Sequence, residues 1–373
     1  MLPEREPDIK DRGQERNGCL CDHSTAASVE FAVSRSGECG LKEELPREWP
    51  MKRRKIIGLL IGGVAARPLT SRAQEFGKMH LILWVSTEAQ PDPFIEGFRE
   101  GMKARGYIEG QNLAFVLRYA PGNPDAVRAM LPELLTIPAD LIVSSGPAML
   151  AMRGTTKRTV LFAMSGDPVA LGIVESLARP GRNFTGSTFM SLDICQKRVY
   201  LLHEMLPKMR SLAVLSNTGH PGEQSEHNAT TAAAQSLGTQ LAYVPFASAD
   251  ELEGALERVL ISRSDAVVVY PDGVTLTNRV RIANFAKTHR LPSMFGWREY
   301  CDAGGLASYG ANQRATYRRL AEYADRLLHG ESPALLPVDR PTNFELVINL
   351  KTAKSLGLEV PAALLARADD LIE

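Results

Sequence analysis

The chain has 373 residues, 44% of them hydrophobic and 23% charged, with 43 basic side chains against 43 acidic ones. That balance, with a sequence pI near 7.1 and no basic excess along the main body, argues against a nucleic-acid binder that works by neutralising phosphates. Aromatic residues at 6%, with 30 Gly and 23 Pro, fit neither a collagen-like, a disordered nor a disulfide-scaffold class, and the length predicts two domains.

Residues 1–50 show no apolar periodicity. They hold Pro3, Pro7, Pro46 and Pro50 and the cysteines Cys19, Cys21 and Cys39, and are expected to be disordered. Met51 opens MKRRKIIGLLIGGVAARPLTSRAQ, which has the three parts of an export signal over residues 51–73. Lys52 to Lys55 form a cationic start, Ile56 to Ala66 an apolar stretch, and Ser71-Arg72-Ala73 a small-x-small cleavage site before Gln74. At 1.5 Å per residue the apolar stretch reaches only about 16 Å, half of a bilayer core of roughly 30 Å, so a cleaved signal is expected rather than a transmembrane helix. The Arg53-Arg54 pair leaves the twin-arginine and general secretory routes both open. Signals sit at true N-termini, so translation is expected to start at Met51, with residues 1–50 a misassigned extension. Cleavage near Ala73 leaves Cys195 and Cys301, read as two separate thiols, and no lipid-attachment cysteine.

Strand-like runs then recur at Leu81–Val85, Leu113–Leu117, Leu141–Val143, Val160–Ala163 and Phe184–Thr188, with helical spacing between them. Phe94, Phe98 and Met102 make an i, i+4, i+8 stripe before Gly106. A second set of strands is predicted at Leu212–Leu215, Leu241–Val244, Ala266–Tyr270, Ser293–Phe295 and Leu306–Tyr309. Asp193 with Gln196, and Ser248 with Glu251, resemble capping boxes. Continuous apolar runs such as AVVVY at Ala266–Tyr270 indicate strands covered on both faces. The fold class expected is α/β, two doubly wound parallel-sheet lobes joined by a hinge.

Asn312 begins a long helix with Tyr317, Leu320, Ala324 and Leu327 on one stripe and Gly330 as its stop. An extended segment, Ser332 to Pro337, follows, then a short strand in Phe344–Leu350 and a helix over Lys351–Leu356. A helix that comes after both sheets must pack on one of them, and the chain is free to return to the first lobe to do so.

The chemistry motifs are mostly absent. There is no phosphate loop, no G-x-G-x-x-G after a strand, no H-E-x-x-H and no G-x-S-x-G elbow. His220, Glu223, Glu226 and His227 cluster, with Glu223 and His227 at i, i+4, but the simpler reading is the solvated start of an exposed helix. Ser144-Ser145-Gly146 has no histidine placed to activate a nucleophile. No metal or cofactor is expected. What the chain offers is small polar residues at strand ends, where open α/β sheets bind ligands. Ser86-Thr87 follows the first strand, Ser144-Ser145-Gly146-Pro147 the third and Ser165-Gly166-Asp167-Pro168 the fourth; each is also readable as a helix cap. Hydroxyls and free amides there suit a carboxylate. Across the cleft Asn217 and Asp272 end strands of the second set, Asp272 as an acceptor for an ammonium group, with Trp297 and Tyr309 as aromatic candidates.

The signal, GMKARGYIEGQNL (Gly101–Leu113), GDPVALGIVESLARPGRNFTGST (Gly166–Thr188), WREYCDAGGLASYG (Trp297–Gly310) and PTNFELVINLKTAKSLGLEVPAALLARADDLIE (Pro341–Glu373) resemble ABC-transporter substrate-binding proteins of the family related to tryptophan and tyrosine binders. The resemblance covers essentially all of residues 78–373. It implies a type I periplasmic-binding-protein fold, with a first lobe over 78–186 plus 312–335 and a second over 188–305 plus 341–373. It also implies a monomeric, non-enzymatic periplasmic protein that delivers a small solute to an ABC permease and its ATPase, touching the membrane only through the permease. The family's ligand-contacting strand ends map onto Thr87, Ser144, Ser145, Gly146, Pro147, Ser165, Asp167, Pro168, Asn217 and Asp272. Here Ser144-Ser145-Gly146 replaces a threonine- and glycine-rich turn and Ser165 a frequent glycine, so the resemblance leaves ligand identity open, aromatic amino acids being a lead. An exported sensory module that docks onto a receptor is the alternative; a transcription regulator of the same fold would carry an N-terminal helix-turn-helix where this chain has an export signal.

Overall fold

The computed structural model describes residues 78–88, 90–189 and 192–373. The expected N-terminal disorder, the export signal and its cleavage site lie outside the described residues. Among those described, no helix is long and apolar enough to cross a membrane.

The first sheet has five parallel strands, β1 (His80–Ser86), β2 (Leu113–Tyr119), β3 (Leu141–Ser145), β4 (Val160–Met164) and β5 (Phe184–Thr188), in the order β2-β1-β3-β4-β5. The second has β6 (Ser211–Asn217), β7 (Gln240–Phe246), β8 (Ala266–Val269), β9 (Ser293–Phe295), β10 (Ala307–Ala311), β11 (Phe344–Asn349) and β12 (Asp370–Ile372), ordered β12-β11-β10-β9-β8-β6-β7. The two-lobed parallel α/β class is as the sequence indicated. The second sheet departs from a set of five in two ways: β11 joins β10 antiparallel, and β12 extends the edge beyond β11.

Both sheets are covered on both faces, and period-two alternation sorts the side chains. In β1, Ile82 and Trp84 enter one core and Leu83 and Val85 the other, all fully buried. Side chains of this size each stabilise the fold by about 1.5–3 kcal/mol when removed from water. The core that holds Trp84 runs on into the second lobe through the edge contact of Phe94 with Trp297, ring centroids 5.9 Å apart.

The helix Gln313–Leu328 returns to the first lobe. It packs on the helix Pro93–Lys103, where Gly97 and Gly101 let the two backbones approach: a Cβ on Gly101 would lie 2.5 Å from the Arg318 carbonyl oxygen and 2.6 Å from Ala321 Cβ. Asn312 starts it by accepting a hydrogen bond from the Ala315 N–H at 2.9 Å. The segment after it runs beside β5. The Thr185 hydroxyl donates to the Leu336 carbonyl at 2.7 Å, and the Thr188 N–H to that of Asp339 at 2.9 Å. Within β5, Gly186 has no room for a side chain, because a Cβ would sit 1.9 Å from the Phe162 carbonyl oxygen. The chain therefore passes between the sheets three times, after β5, after β10 and before β11.

Two local expectations change. Asp193 sits inside the first turn of the helix Leu192–Met205 rather than at its cap. The Ser248–Glu251 box does not form: Glu251 accepts from the Ala247 N–H, one residue before the cap, while the Ser248 hydroxyl caps nothing and a short 3-10 turn, Ala249–Glu251, opens the helix.

Candidate functional site

The carboxyl ends of β1, β3 and β4 face those of β6 and β8 across a cleft, the position where open α/β sheets take small molecules. The lobes are closed on it. Glu88 Oε1 lies 2.8 Å from where a Cβ of Gly273 would stand, Val274 presses on Gly122, and the Ser165 hydroxyl donates to Glu226 Oε1 at 3.4 Å from one lobe to the other.

Four aromatic rings form one wall. Phe94 stacks on Tyr317 with centroids 4.9 Å apart and planes 6° from parallel, and Trp297 meets Phe94 and Phe189 edge-on at 5.9 and 5.8 Å. The Tyr317 hydroxyl is bonded to Ser145 Oγ at 2.6 Å. Phe94 is held by Asp92, which accepts from the Phe94 N–H and the Trp84 indole N–H, both at 2.9 Å.

Polar atoms without a protein partner stand among these rings. Thr87 Oγ1, Asp272 Oδ2 and His220 Nε2 are buried and unpartnered. Asp272 Oδ1 accepts from the Val274 and Thr275 N–H groups at 2.5 and 3.0 Å, and the Thr275 hydroxyl accepts from the Asp272 N–H, which completes a capping box on the helix Gly273–Thr277. Burial pushes the Asp272 carboxyl up to about 6 against these hydrogen bonds. Glu88 is also held well above the ordinary carboxyl value, first by burial and then by Asp92 and Asp272, with Arg279 opposing. His220, whose Nδ1 accepts from the Gly222 N–H, is pushed down to about 4 by burial and the Arg198 charge, so it is neutral. Glu226, on the helix Glu223–Ser236, is pushed up to about 7 by burial, with Arg198 opposing.

A family model described as ABC transporter substrate binding protein matches residues 79–372. The chain belongs to this family. It is 23% identical over 328 residues, 83% of this chain and 94% of the relative, to a protein named tyrosine-binding protein from Clostridioides difficile. Among solved structures it is similar to a conserved domain protein of Vibrio cholerae, with a TM-score of 0.74 and 27% identity over 79% of this chain and all of that one. A Streptococcus pneumonia ABC domain in complex with L-Trp matches with a TM-score of 0.73 and 23% identity over 79% of this chain and 99% of that one. Both agree with the two-lobed type I fold.

In this substrate-binding protein Thr87, Ser145, Gly146, Pro147, Ser165, Asn217 and Asp272 come together along the cleft. Ser144, Asp167 and Pro168 do not. Ser144 follows Ile142 onto the opposite face of β3, where its hydroxyl is buried. Asp167 is exposed and caps the turn after it, accepting from the Val169 and Ala170 N–H groups, and with Pro168 it lines a separate surface groove near Arg340. Tyr309 also lies away from the cleft, beside Phe344, whereas Trp297 lines it. The reading of His220 and Glu226 as a solvated helix start is overturned: they are 7% and 2% exposed. Among the described residues no group of His, Cys, Asp and Glu is placed to hold a metal ion. Cys195 and Cys301 are buried in different helices and are not joined to each other.

As cleft residues, sequence reasoning passed over Glu88, Phe94 and Tyr317, and it read His220 as part of a solvated helix start. Glu88 directly follows Thr87 at a strand end, so the same rule that found Thr87 reaches it. Phe94 and Tyr317 sit on helix stripes that read as core, and they are core on one side and cleft wall on the other.

Proposed function

We propose that this protein is the solute-capture component of an ABC importer. In this reading it is exported to the periplasm, takes a small aromatic solute that bears an ammonium group, an aromatic amino acid being the first candidate, and delivers it to a membrane permease driven by a separate ATPase. One observation carries it: an aromatic wall of Phe94, Phe189, Trp297 and Tyr317 encloses the same cavity as the unpartnered Thr87 hydroxyl and Asp272 carboxylate oxygen. A ring fills the apolar side, Asp272 accepts from the ammonium, and the Thr87 hydroxyl donates to a carboxylate. An open form admits the solute and closure buries it, with no bond made or broken; the closed shape is what a permease recognises. The names of the Clostridioides difficile and Streptococcus pneumonia relatives support aromatic amino acids as the lead.

Thermal shift of the purified protein against amino acids, nucleosides, sugars and small carboxylates tests this. A ligand at a hundred times its dissociation constant adds about 2.7 kcal/mol, or several degrees at roughly 2 °C per kcal/mol for a chain of this size. A shift with aromatic solutes is expected. A response to nucleosides or sugars alone rejects the aromatic-ammonium assignment, and silence across the panel favours an exported sensory module.

A further inference from the structure

The cavity has polar groups at both ends and rings between them. β1, β3 and β4 lie side by side, with Ser86, Ser145 and Ala163 in register, so Thr87 just past β1 and Ser165 just past β4 stand two strand spacings apart, roughly 9–10 Å. Between them, at the end of β3, Ser145 holds the hydroxyl of Tyr317, whose ring stacks on Phe94. A solute ring laid against that pair has polar protein atoms on either side of it.

The Thr87 end takes the head of a zwitterion, with Asp272 and, acting on it, the Asn217 amide. At the Ser165 end the lobes meet again. The Ser165 hydroxyl donates to Glu226 Oε1 at 3.4 Å, and a Cβ on the neighbouring Gly166 would lie 3.3 Å from Cβ of Pro221, the residue after His220. His220 is buried and lines the cavity. Its Nδ1 accepts from the Gly222 N–H at 3.1 Å and the ring is neutral, so the proton sits on Nε2, which has no acceptor in the protein.

Ser165 spends its proton on Glu226 and keeps its lone pairs for the cavity. An N–H donor from one lobe and a hydroxyl acceptor from the other match a hydroxyl group, which needs one of each. A carboxylate at this end would offer acceptors only and would stand next to Glu226. A buried N–H that stays without an acceptor disfavours closure, so the His220 end discriminates between solutes that reach it with oxygen and those that do not.

We propose that Ser165 and His220 form a second polar subsite, for a hydroxyl carried on the ring of the solute, and that the cleft selects hydroxylated aromatic amino acids over their unsubstituted counterparts. This rests on the aromatic-solute reading above and adds the substituent on the ring.

Calorimetric titration of the whole protein near neutral pH with two ligand pairs, L-tyrosine against L-phenylalanine and 5-hydroxy-L-tryptophan against L-tryptophan, tests it. In at least one pair the hydroxylated member is expected to bind at least about tenfold tighter, because a bare ring strands the His220 N–H. In His220→Phe, checked for folding by circular dichroism, that preference is expected to disappear while the unsubstituted member keeps its affinity. No preference in either pair overturns the subsite and leaves the aromatic-solute reading intact; failure of all the ligands to bind overturns both. A folded His220→Phe that weakens both members of a pair alike places His220 on a group they share and overturns the hydroxyl assignment. The wild-type ranking needs no variant to fold.

Discussion

Replacing Asp272 by Asn tests how the cleft manages its own charge. The Asn oxygen still accepts from the Val274 and Thr275 N–H groups, so the cap on Gly273–Thr277 survives. What is lost is a carboxyl that burial raises from 3.8 to about 6. At about 1.4 kcal/mol for each tenfold in proton affinity, keeping it charged costs the closed form about 3 kcal/mol. A carboxyl raised on closing favours the closed form below the value it has when open, and that contribution is lost as pH rises through about 6. Ligand-free wild type is therefore expected to be more closed in mild acid and to open towards neutral pH. Glu88 and Glu226, both raised by burial and both coupled to Asp272, act in the same direction, while Arg279 and Arg198 oppose them. In Asp272→Asn the ratio of closed to open forms near neutral pH should rise by up to roughly a hundredfold, and the step with pH should shrink. Small-angle X-ray scattering of the ligand-free protein reads both as the radius of gyration. A variant with the same radius and the same pH dependence as wild type would refute this account of the burial cost.

Two further substitutions probe the frame of the site. Ser145→Ala strands the buried Tyr317 hydroxyl and should cost about 1–3 kcal/mol, while the Ser145→Ala/Tyr317→Phe pair, which removes both partners, should recover most of it; denaturant midpoints of the three variants decide, and a double variant no better than the single sinks the coupling. Gly101→Ala forces a Cβ against the backbone of the helix Gln313–Leu328 and should cost about 1–3 kcal/mol by overpacking. A urea midpoint unchanged from wild type would show that this contact relaxes freely.

Much of this architecture was legible in the chain because its signals are local. The first four strands of the first sheet are short apolar runs, and the stripe of Tyr317, Leu320 and Ala324 marks a helix that needs a partner. β12 was not legible: three half-buried residues carry no usable period, and they become a strand only because β11 offers an edge. At the site, the rule that ligands sit beyond strand ends located Thr87, Ser145, Asn217 and Asp272. It failed for Ser144 because the alternation of β3 decides which of two adjacent serines faces the cleft. It failed for Asp167 because an aspartate after a strand caps its own turn as readily as it meets a ligand. The depth of His220 and Glu226 depends on how the second lobe closes around Arg198, a long-range fact that no window of sequence contains.

The return of the helix Gln313–Leu328 to the first lobe sets an order of events during synthesis. All five strands of the first sheet are made once Thr188 has left the ribosome, yet the face bearing Trp84, Phe98 and Met102 gains its cover only when Tyr317 and Leu320 arrive, about 140 residues later at the helix's end. At about 5–20 residues per second the nascent first lobe stays open on one side for roughly 7–28 s, while most of the second lobe is translated. Its apolar surface is on offer to chaperones for that whole interval, and the first lobe is closed only after five of the second sheet's seven strands have been made.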